Sequence, residues 1–268
     1  MIAKAAVEKK QEVYTGGRRL LFLIYNIQTG TTTSSYRHFL TQSWRHVLPH
    51  SQRIENLTGI AHMTSDYDIV GLQEVDAGSL RSGYVNLTQY IGERAGLPFW
   101  YDQTNRRIGQ FARHSLGVLS RYKPSGITEH KLPGRLPGRG AMAVRFGAGE
   151  ESLVVLIVHL ALSRRGRLSQ LDYLGDLIND YRHVVMMGDM NCRSDSEEME
   201  LLVNKTLMSE PLHGLHTFPS WRPKRNIDHI LVTPTVEVGR AEVLNYPLSD
   251  HLPISMEVVL PESVDLHI

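Results

Sequence analysis

Polar residues able to handle a phosphate ester and an attacking water sit where short apolar runs of this chain end. Val184-Val185-Met186-Met187 leads through Gly188 to Asp189-Met190-Asn191. Strand side chains alternate, so Asp189 and Asn191 would face one side if the chain stays extended. A carboxylate can take a proton or hold a cation, and an amide can donate to an anionic oxygen. Gly188 permits close backbone approach or an unusual turn at the strand tip. Alone the pattern is weak, because Gly-Asp after a strand is commonly just a turn. Repetition gives it weight. Other apolar runs end on Asn26, Glu74 and His159, and two later segments carry Asp228-His229 and Asp250-His251. Metal-binding and proton-moving groups at several strand tips predict tips converging on one cleft. A layered β-rich core presents its strand ends along one edge, where loops build a site.

The elements that must position these groups follow from periodicity. Leu20–Tyr25 predicts a strand ending on Asn26, with a polar loop from Gln28 to Ser35. Ile54, Leu57, Ile60 and Ala61 fall at helical spacing over 51–64. Asp68–Leu72 predicts a strand running into Gln73-Glu74, and Leu87, Tyr90, Ile91 and Ala95 a helix stopped by Gly96 and Pro98. Ser115–Ser120 reads as a strand and Lys131–Gly140, rich in Pro and Gly, as an irregular loop. Leu153–Val158 forms a strand ending on His159. Leu168, Leu171, Leu174, Leu177 and Ile178 line a helix that returns to the 184–187 strand. That is a strand–helix–strand unit, right-handed if its strands are parallel. Strands over Asn226–Val232, Ala241–Asn245 and Ile254–Val259 complete the chain. Similar strand endings on both sides of the 131–140 loop argue for one catalytic domain over 19–268, with 1–18 as a flexible tail.

Composition narrows the partners. The 268 residues are 41% hydrophobic and 21% charged, with a formal net charge of +1. No global polycation grips nucleic acid or an anionic membrane, so attraction to phosphate must be local. Cys192 is the single cysteine, which excludes an intrachain disulfide and a thiolate zinc cluster, while thirteen histidines leave a histidine metal site open. The N-terminus is polar, and the run Leu20–Tyr25 is too short for a signal-peptide core or a membrane span. The expectation is a soluble, cytoplasmic protein with no stable membrane insertion.

Tyr25-Asn26-Ile27, Gln73-Glu74, His159-Leu160, Gly188-Asp189-Met190-Asn191, Ile227-Asp228-His229-Ile230 and Ser249-Asp250-His251 resemble, in order, the motifs of the endonuclease/exonuclease/phosphatase superfamily. That group includes deoxyribonuclease I-like, exonuclease III-like and neutral sphingomyelinase-like branches. The resemblance spans residues 20 to 260 and is similar to that of uncharacterised bacterial members. It implies an α/β fold, a four-layered α/β/β/α sandwich of two mixed β-sheets flanked by helices. It also implies a magnesium-dependent hydrolase of phosphoester bonds, with manganese as a substitute metal. Glu74 resembles the metal ligand, with Asn26 and Asp250 assisting. Asp189 resembles the residue that aligns or deprotonates the water, and Asn191 the phosphate-contacting amide. His251 resembles the histidine that polarises the scissile phosphate, with Asp228 as its carboxylate partner. His159 matches a second histidine placed to protonate the leaving oxygen. His229, on the opposite side of its strand from Asp228, reads as packing, and Cys192 as a small wall residue.

Substrate choice is the open question. Arg106-Arg107 with Arg113, Arg135 with Arg139, Arg164-Arg165 with Arg167, and Arg222 with Lys224-Arg225 flank these motifs. Each cluster alone is an ordinary solvated surface. Together they suit a polyanion, with Arg139, Arg164 and Arg165 as phosphate contacts and Trp221 as a stacking ring. His159-Leu160-Ala161-Leu162 lacks the acidic residue of the tyrosyl-DNA phosphodiesterase pattern, and His159 replaces the tyrosine of abasic endonucleases. A magnesium-dependent nuclease or nucleic-acid phosphodiesterase is the leading expectation. A phospholipid or small-molecule phosphoesterase is the alternative, and a non-catalytic binding module on this fold the second.

Overall fold

The computed structural model describes residues 17–30, 51–134, 137–211 and 214–268. The 1–16 part of the expected tail and the 31–35 part of the expected loop lie outside them, as does Arg135. In chain order the elements are β1 (Arg18–Asn26), α1 (Ser51–Thr64), β2 (Ile69–Asp76), α2 (Leu87–Ala95), β3 (Phe99–Ile108), β4 (Ala112–Ser120), β5 (Gly126–His130) and β6 (Gly140–Phe146). There follow β7 (Leu153–His159), α3 (Arg164–Ile178), β8 (His183–Asp189), α4 (Glu197–Lys205), β9 (Asp228–Val232), β10 (Glu237–Val243) and β11 (Ile254–Leu260).

The strands make two mixed sheets, one ordered β10-β11-β1-β2-β4-β3 and the other β5-β6-β7-β8-β9. Each holds one parallel pair, β1 with β2 and β7 with β8. Alternation along the strands builds four layers. Phe22 and Ile24 of β1 pack with Val155 and Ile157 of β7 and Val185 and Met187 of β8 between the sheets. Leu23 and Tyr25 turn the other way, onto Leu57 and Ile60 of α1 and Ile91 of α2. Leu156 and Val158 turn outward on the second sheet, onto Leu171 and Leu174 of α3 and Leu202 of α4. Because both faces of β7 and β8 are covered, these strands read as continuous apolar runs.

The structure differs from the periodicity reading in particular places. Ile54 is 45% exposed while Arg53 is buried, so α1 is rotated from the apolar stripe that its spacing suggests. β3, β5, β6 and α4 are additional elements. β3 and β5 are edge strands with polar, largely exposed sequences and no apolar alternation. β2 runs on through Gln73-Glu74 to Asp76, β9 starts at Asp228, and β10 covers Glu237–Val243.

Candidate active site

The second sheet supplies a row. β7 and β8 pair His159 with Asp189, and β8 and β9 pair Asp189 with Asp228. Three adjacent strands thus set three reactive side chains at one level of the sheet. Gly188 makes the approach possible, because a Cβ there would stand 2.0 Å from the Val158 carbonyl oxygen. Asp189 is the hub. Its Oδ2 accepts from Asn26 Nδ2 at 3.2 Å and lies 3.4 Å from His159 Nε2 and 4.0 Å from His251 Nε2. Its Oδ1 accepts from the Asn191 backbone N–H at 2.9 Å. Asn191 adopts φ +52, so the chain turns sharply after Met190 and does not continue extended. Its Nδ2 donates to the Leu160 carbonyl at 3.0 Å, and an amide group has a second hydrogen to give.

The first sheet contributes through irregularity. Asn26 ends β1, and its Oδ1 accepts from Gln28 N at 3.2 Å, which fixes the amide so that it donates toward Asp189. Between β2 and β4 the register steps three residues, Leu72 to Val75, against two, Gly117 to Ser115. The extra residue is a bulge, and Glu74 there takes φ +56, an uncommon backbone for a residue with a Cβ. Glu74 is thereby aimed out of the sheet, its Oε1 4.0 Å from His159 Nε2 and its side chain 34% exposed. Asp250 and His251 sit in the connection before β11, whose start pairs with the end of β1 at Ile24. Both are buried. His251 Nδ1 bonds Asp228 Oδ2 at 2.8 Å, and the Phe218 ring packs on the imidazole with centroids 4.9 Å apart. Thr217 Oγ1 also donates to Asp228 Oδ2.

Charges in this buried space set protonation. Burial lowers the proton affinity of His251, but the charge and hydrogen bond of Asp228, then the charges of Asp189 and Asp250, outweigh it and push the pKa up to about 10. Burial works to raise Asp189, yet His159, His251 and the Asn191 N–H hold it well below the usual carboxylate range. Burial raises Asp250 to about 6, with His251 opposing and the negative charges of Glu74 and Asp189 adding to the rise. Asp189, Asp228 and His251 bring one ligand-capable atom each within 4.8 Å of one another, a group that could hold a metal ion. Asp228 Oδ1 is buried without a hydrogen-bond partner.

The sequence profile of the Endonuclease/Exonuclease/phosphatase family matches residues 24–251. The chain belongs to that family. Its members are phosphoester hydrolases that generally depend on a divalent metal. Among solved structures it resembles an endonuclease/exonuclease/phosphatase from Beutenbergia cavernae (TM-score 0.71, 19% identity, covering 92% of this chain and 72% of that one). It also resembles the mannosyl-6-phosphatase of Bacteroides thetaiotaomicron (TM-score 0.67, 16% identity, 90% and 100% covered). A third is the human Nocturnin catalytic domain with bound sulfate (TM-score 0.63, 17% identity, 90% and 93% covered). At such identities the likeness speaks to fold alone. No curated protein matches the chain by sequence.

In this family member a cavity of about 770 Å³ opens beside the row, lined among others by Glu74, His159, Arg139 and Arg165. Arg139 Nη1 lies against both ring nitrogens of His159, 2.8 Å from Nδ1. Arg164 does not line this cavity and pairs with Glu197 and Glu198. Trp221 does not line it either. Arg106 and His114, cross-strand neighbours on β3 and β4, do line it. His114 carried no signal in the sequence, because it stands mid-strand and ends no apolar run. Thr217 was equally silent, being fixed only by the fold, while Phe218 opens the Phe218–Pro223 loop that precedes the Asp228 strand. His229 does more than pack: it is buried, with Nδ1 on Glu210 Oε1 and Nε2 on the Cys192 carbonyl, each at 2.8 Å. That bond anchors the turn after Asn191. Burial pushes the Cys192 thiol up to about 12, as suits a wall residue and not a nucleophile. Among the described residues no helix is long and apolar enough to cross a membrane.

Proposed function

We propose that this chain hydrolyses phosphodiester bonds with magnesium, and that its substrate is nucleic acid. The observation behind the reading is the in-register row His159, Asp189, Asp228 meeting Asn26, Glu74 and His251 at one mouth. The residues present fit a hard divalent cation, since the carboxylates of Glu74, Asp189 and Asp250 lie near enough to act on one another and offer oxygen donors. We assign the ion to Glu74 and Asp250, with Asn26 alongside, in preference to the Asp189–Asp228–His251 group. His251 is engaged with Asp228 through Nδ1, and its Nε2 is the nitrogen left to face the phosphate. The bound cation would neutralise charge developing on the phosphoryl oxygens.

The chain's own groups do the rest. Asp189, steered by Asn26, orients the attacking water, and its low proton affinity favours orientation over keeping the proton. The His251 imidazolium donates to a non-bridging oxygen, held in place by Asp228. The second Asn191 amide hydrogen is available to the same phosphate. His159, braced by Arg139, faces the leaving oxygen. Arg139 and Arg165 supply local positive charge for a polyanion in a chain of net charge +1.

The cavity volume supports a second reading, a small phosphoester such as a sugar phosphate, because it falls in the range of small-ligand sites. A substrate panel separates the two: single-stranded DNA, RNA, sugar phosphates and sphingomyelin, each with magnesium and with chelator. Cleavage of nucleic acid in magnesium alone is expected. Turnover of sugar phosphates with nucleic acid untouched moves the assignment to the second reading.

A further inference from the structure

The β3–β4 hairpin runs past the cavity and ends in an exposed tip. Arg106 pairs with His114, Arg107 with Arg113 and Ile108 with Ala112. Arg106 lines the cavity, while farther out Ile108 is 42% exposed and Phe111 56%. The segment 77–86 is tied to this tip. Leu80 N donates to the Gln110 carbonyl at 2.9 Å, and Arg81 N donates to the Phe111 carbonyl at 3.2 Å. The Ser79 carbonyl in turn accepts from Tyr84 N at 2.7 Å. Tyr84 is 63% exposed and takes φ +64, a strained backbone for an aromatic residue.

The strain is sustained from below. Asp76 is fully buried and accepts from Ser79 N at 2.7 Å, Ser79 Oγ at 2.7 Å, Ser82 Oγ at 3.0 Å and Arg81 Nε at 2.5 Å. Burial works against its charge, but the Ser79 and Arg81 bonds hold its carboxyl below the usual range. A satisfied buried network of this kind rigidifies the segment it holds. Two aromatic rings are thus kept in water on a stiff support, on and beside the hairpin whose exposed Arg106 lines the catalytic cavity.

We propose that this tip is a platform for unpaired nucleotides adjoining the scissile phosphate, with Tyr84 and Phe111 stacking on bases and Arg106 and Arg107 meeting the flanking phosphates. The proposal rests on the phosphodiesterase reading of the site. Stacking needs an accessible ring face and a nearby cation, and ring faces reach only bases that are splayed out. A lipid surface calls for a broad apolar face. Here the apolar surface is limited to Tyr84, Ile108 and Phe111 at one turn, where Phe111 N donates to the Ile108 carbonyl at 3.0 Å.

The test compares two substrates in magnesium, bis(p-nitrophenyl) phosphate and a short single-stranded DNA oligonucleotide. The variant is Tyr84→Asn with Phe111→Ala, asparagine being suited to the left-handed backbone. The oligonucleotide KM should rise roughly tenfold or more, the scale of lost base stacking, while turnover of the small ester stays unchanged. An unchanged oligonucleotide KM overturns the platform, and so does an equal fall on both substrates. Loss of binding to phosphatidylserine vesicles with oligonucleotide KM intact would assign the tip to lipid instead. If the wild type cleaves neither substrate, the reading of the site fails. Fluorescence anisotropy of the labelled oligonucleotide then still decides the platform: weaker binding by the variant supports it, and equal binding overturns it.

Discussion

The two sheets reach one site by opposite means. β7, β8 and β9 deliver His159, Asp189 and Asp228 in unbroken register, and each is at most 4% exposed. The first sheet delivers Glu74 through a bulge with a left-handed backbone, and Asp250 and His251 through a connecting segment. Register fixes distances between neighbours to within the strand spacing, which suits groups that must hand protons to one another. A bulge re-aims a side chain out of that regularity, which suits a carboxylate that must meet a cation together with its waters. On the proposed reading the regular side carries most of the chemistry and the bulge the metal ligand, with His251 reaching the phosphate from the irregular side.

Breaking the regular side should have the largest effect. Asp189→Asn keeps the shape but removes the charge that four neighbours address, and kcat on a generic phosphodiester should fall by about a thousandfold. Circular dichroism and a thermal melt check that the fold persists. Near-normal turnover would remove Asp189 from its role. Next in size comes the irregular side. Glu74→Gln should raise the magnesium needed for half-maximal rate by roughly ten- to a hundredfold, while saturating metal restores much of the rate. A rate lost at every magnesium concentration would place Glu74 among the groups that act on the phosphate.

Asp228→Asn sharpens the division through pH. His251 sits at about 10 because carboxylates outweigh burial. Without Asp228 the alkaline limb of the rate profile should move toward neutrality by more than one pH unit, with the magnesium requirement little changed. The sign of the stability linkage is fixed too. The folded value lies above the unfolded histidine's ~6.5, so the stabilisation is complete below about 6.5 and is lost as pH rises through about 10. Asp228→Asn should flatten that alkaline loss of Tm, and an unaltered profile would contradict the pairing.

The smallest effects concern the backbone. Gly188→Ala should lower stability by roughly 2–3 kcal/mol, since its Cβ meets a strand carbonyl that cannot give way. Glu74→Gly should leave stability unchanged or raise it by up to about 1 kcal/mol, because glycine accepts φ +56 without strain. Chemical denaturation should show a loss for Gly188→Ala and none for Glu74→Gly, and a large loss for Glu74→Gly would mean that the bulge carries no strain.

The same contrast explains what the sequence disclosed. Runs such as Val184–Met187 are buried on both faces, so their composition announces the strand and its polar terminus marks the site. The strand–helix–strand unit of β7, α3 and β8, whose strands prove parallel, and the 51–64 helix were legible from periodicity, whereas the four-layered sandwich followed from the family resemblance. Edge strands are half wet, and β3, with Asp102, Gln103, Thr104 and Asn105 in its middle, shows no periodic signal. α4 does carry a start signal, Ser196 capping the Met199 N–H ahead of Glu197, Glu198 and Glu200. The left-handed turn at Asn191 and the bulge at Glu74 depend on partners far along the chain. The types of the candidate residues could be read in advance, but their aim could not. The same holds for the arginines, where proximity in sequence grouped Arg164 with Arg165 although only Arg165 lines the cavity.

Convergence of the two sheets on a single metal-bearing mouth is best tested with manganese as a paramagnetic probe of the histidine ring signals in the NMR spectrum. His183 begins β8 and Asp189 ends it, six residues apart and so about 20 Å away along the strand. Titration should broaden His159 and His251 at the lowest manganese concentrations and leave His183 sharp, and Glu74→Gln should abolish that selectivity. Equal broadening of all three rings, or selective broadening that survives in Glu74→Gln, would contradict a cation held by Glu74 beside the row.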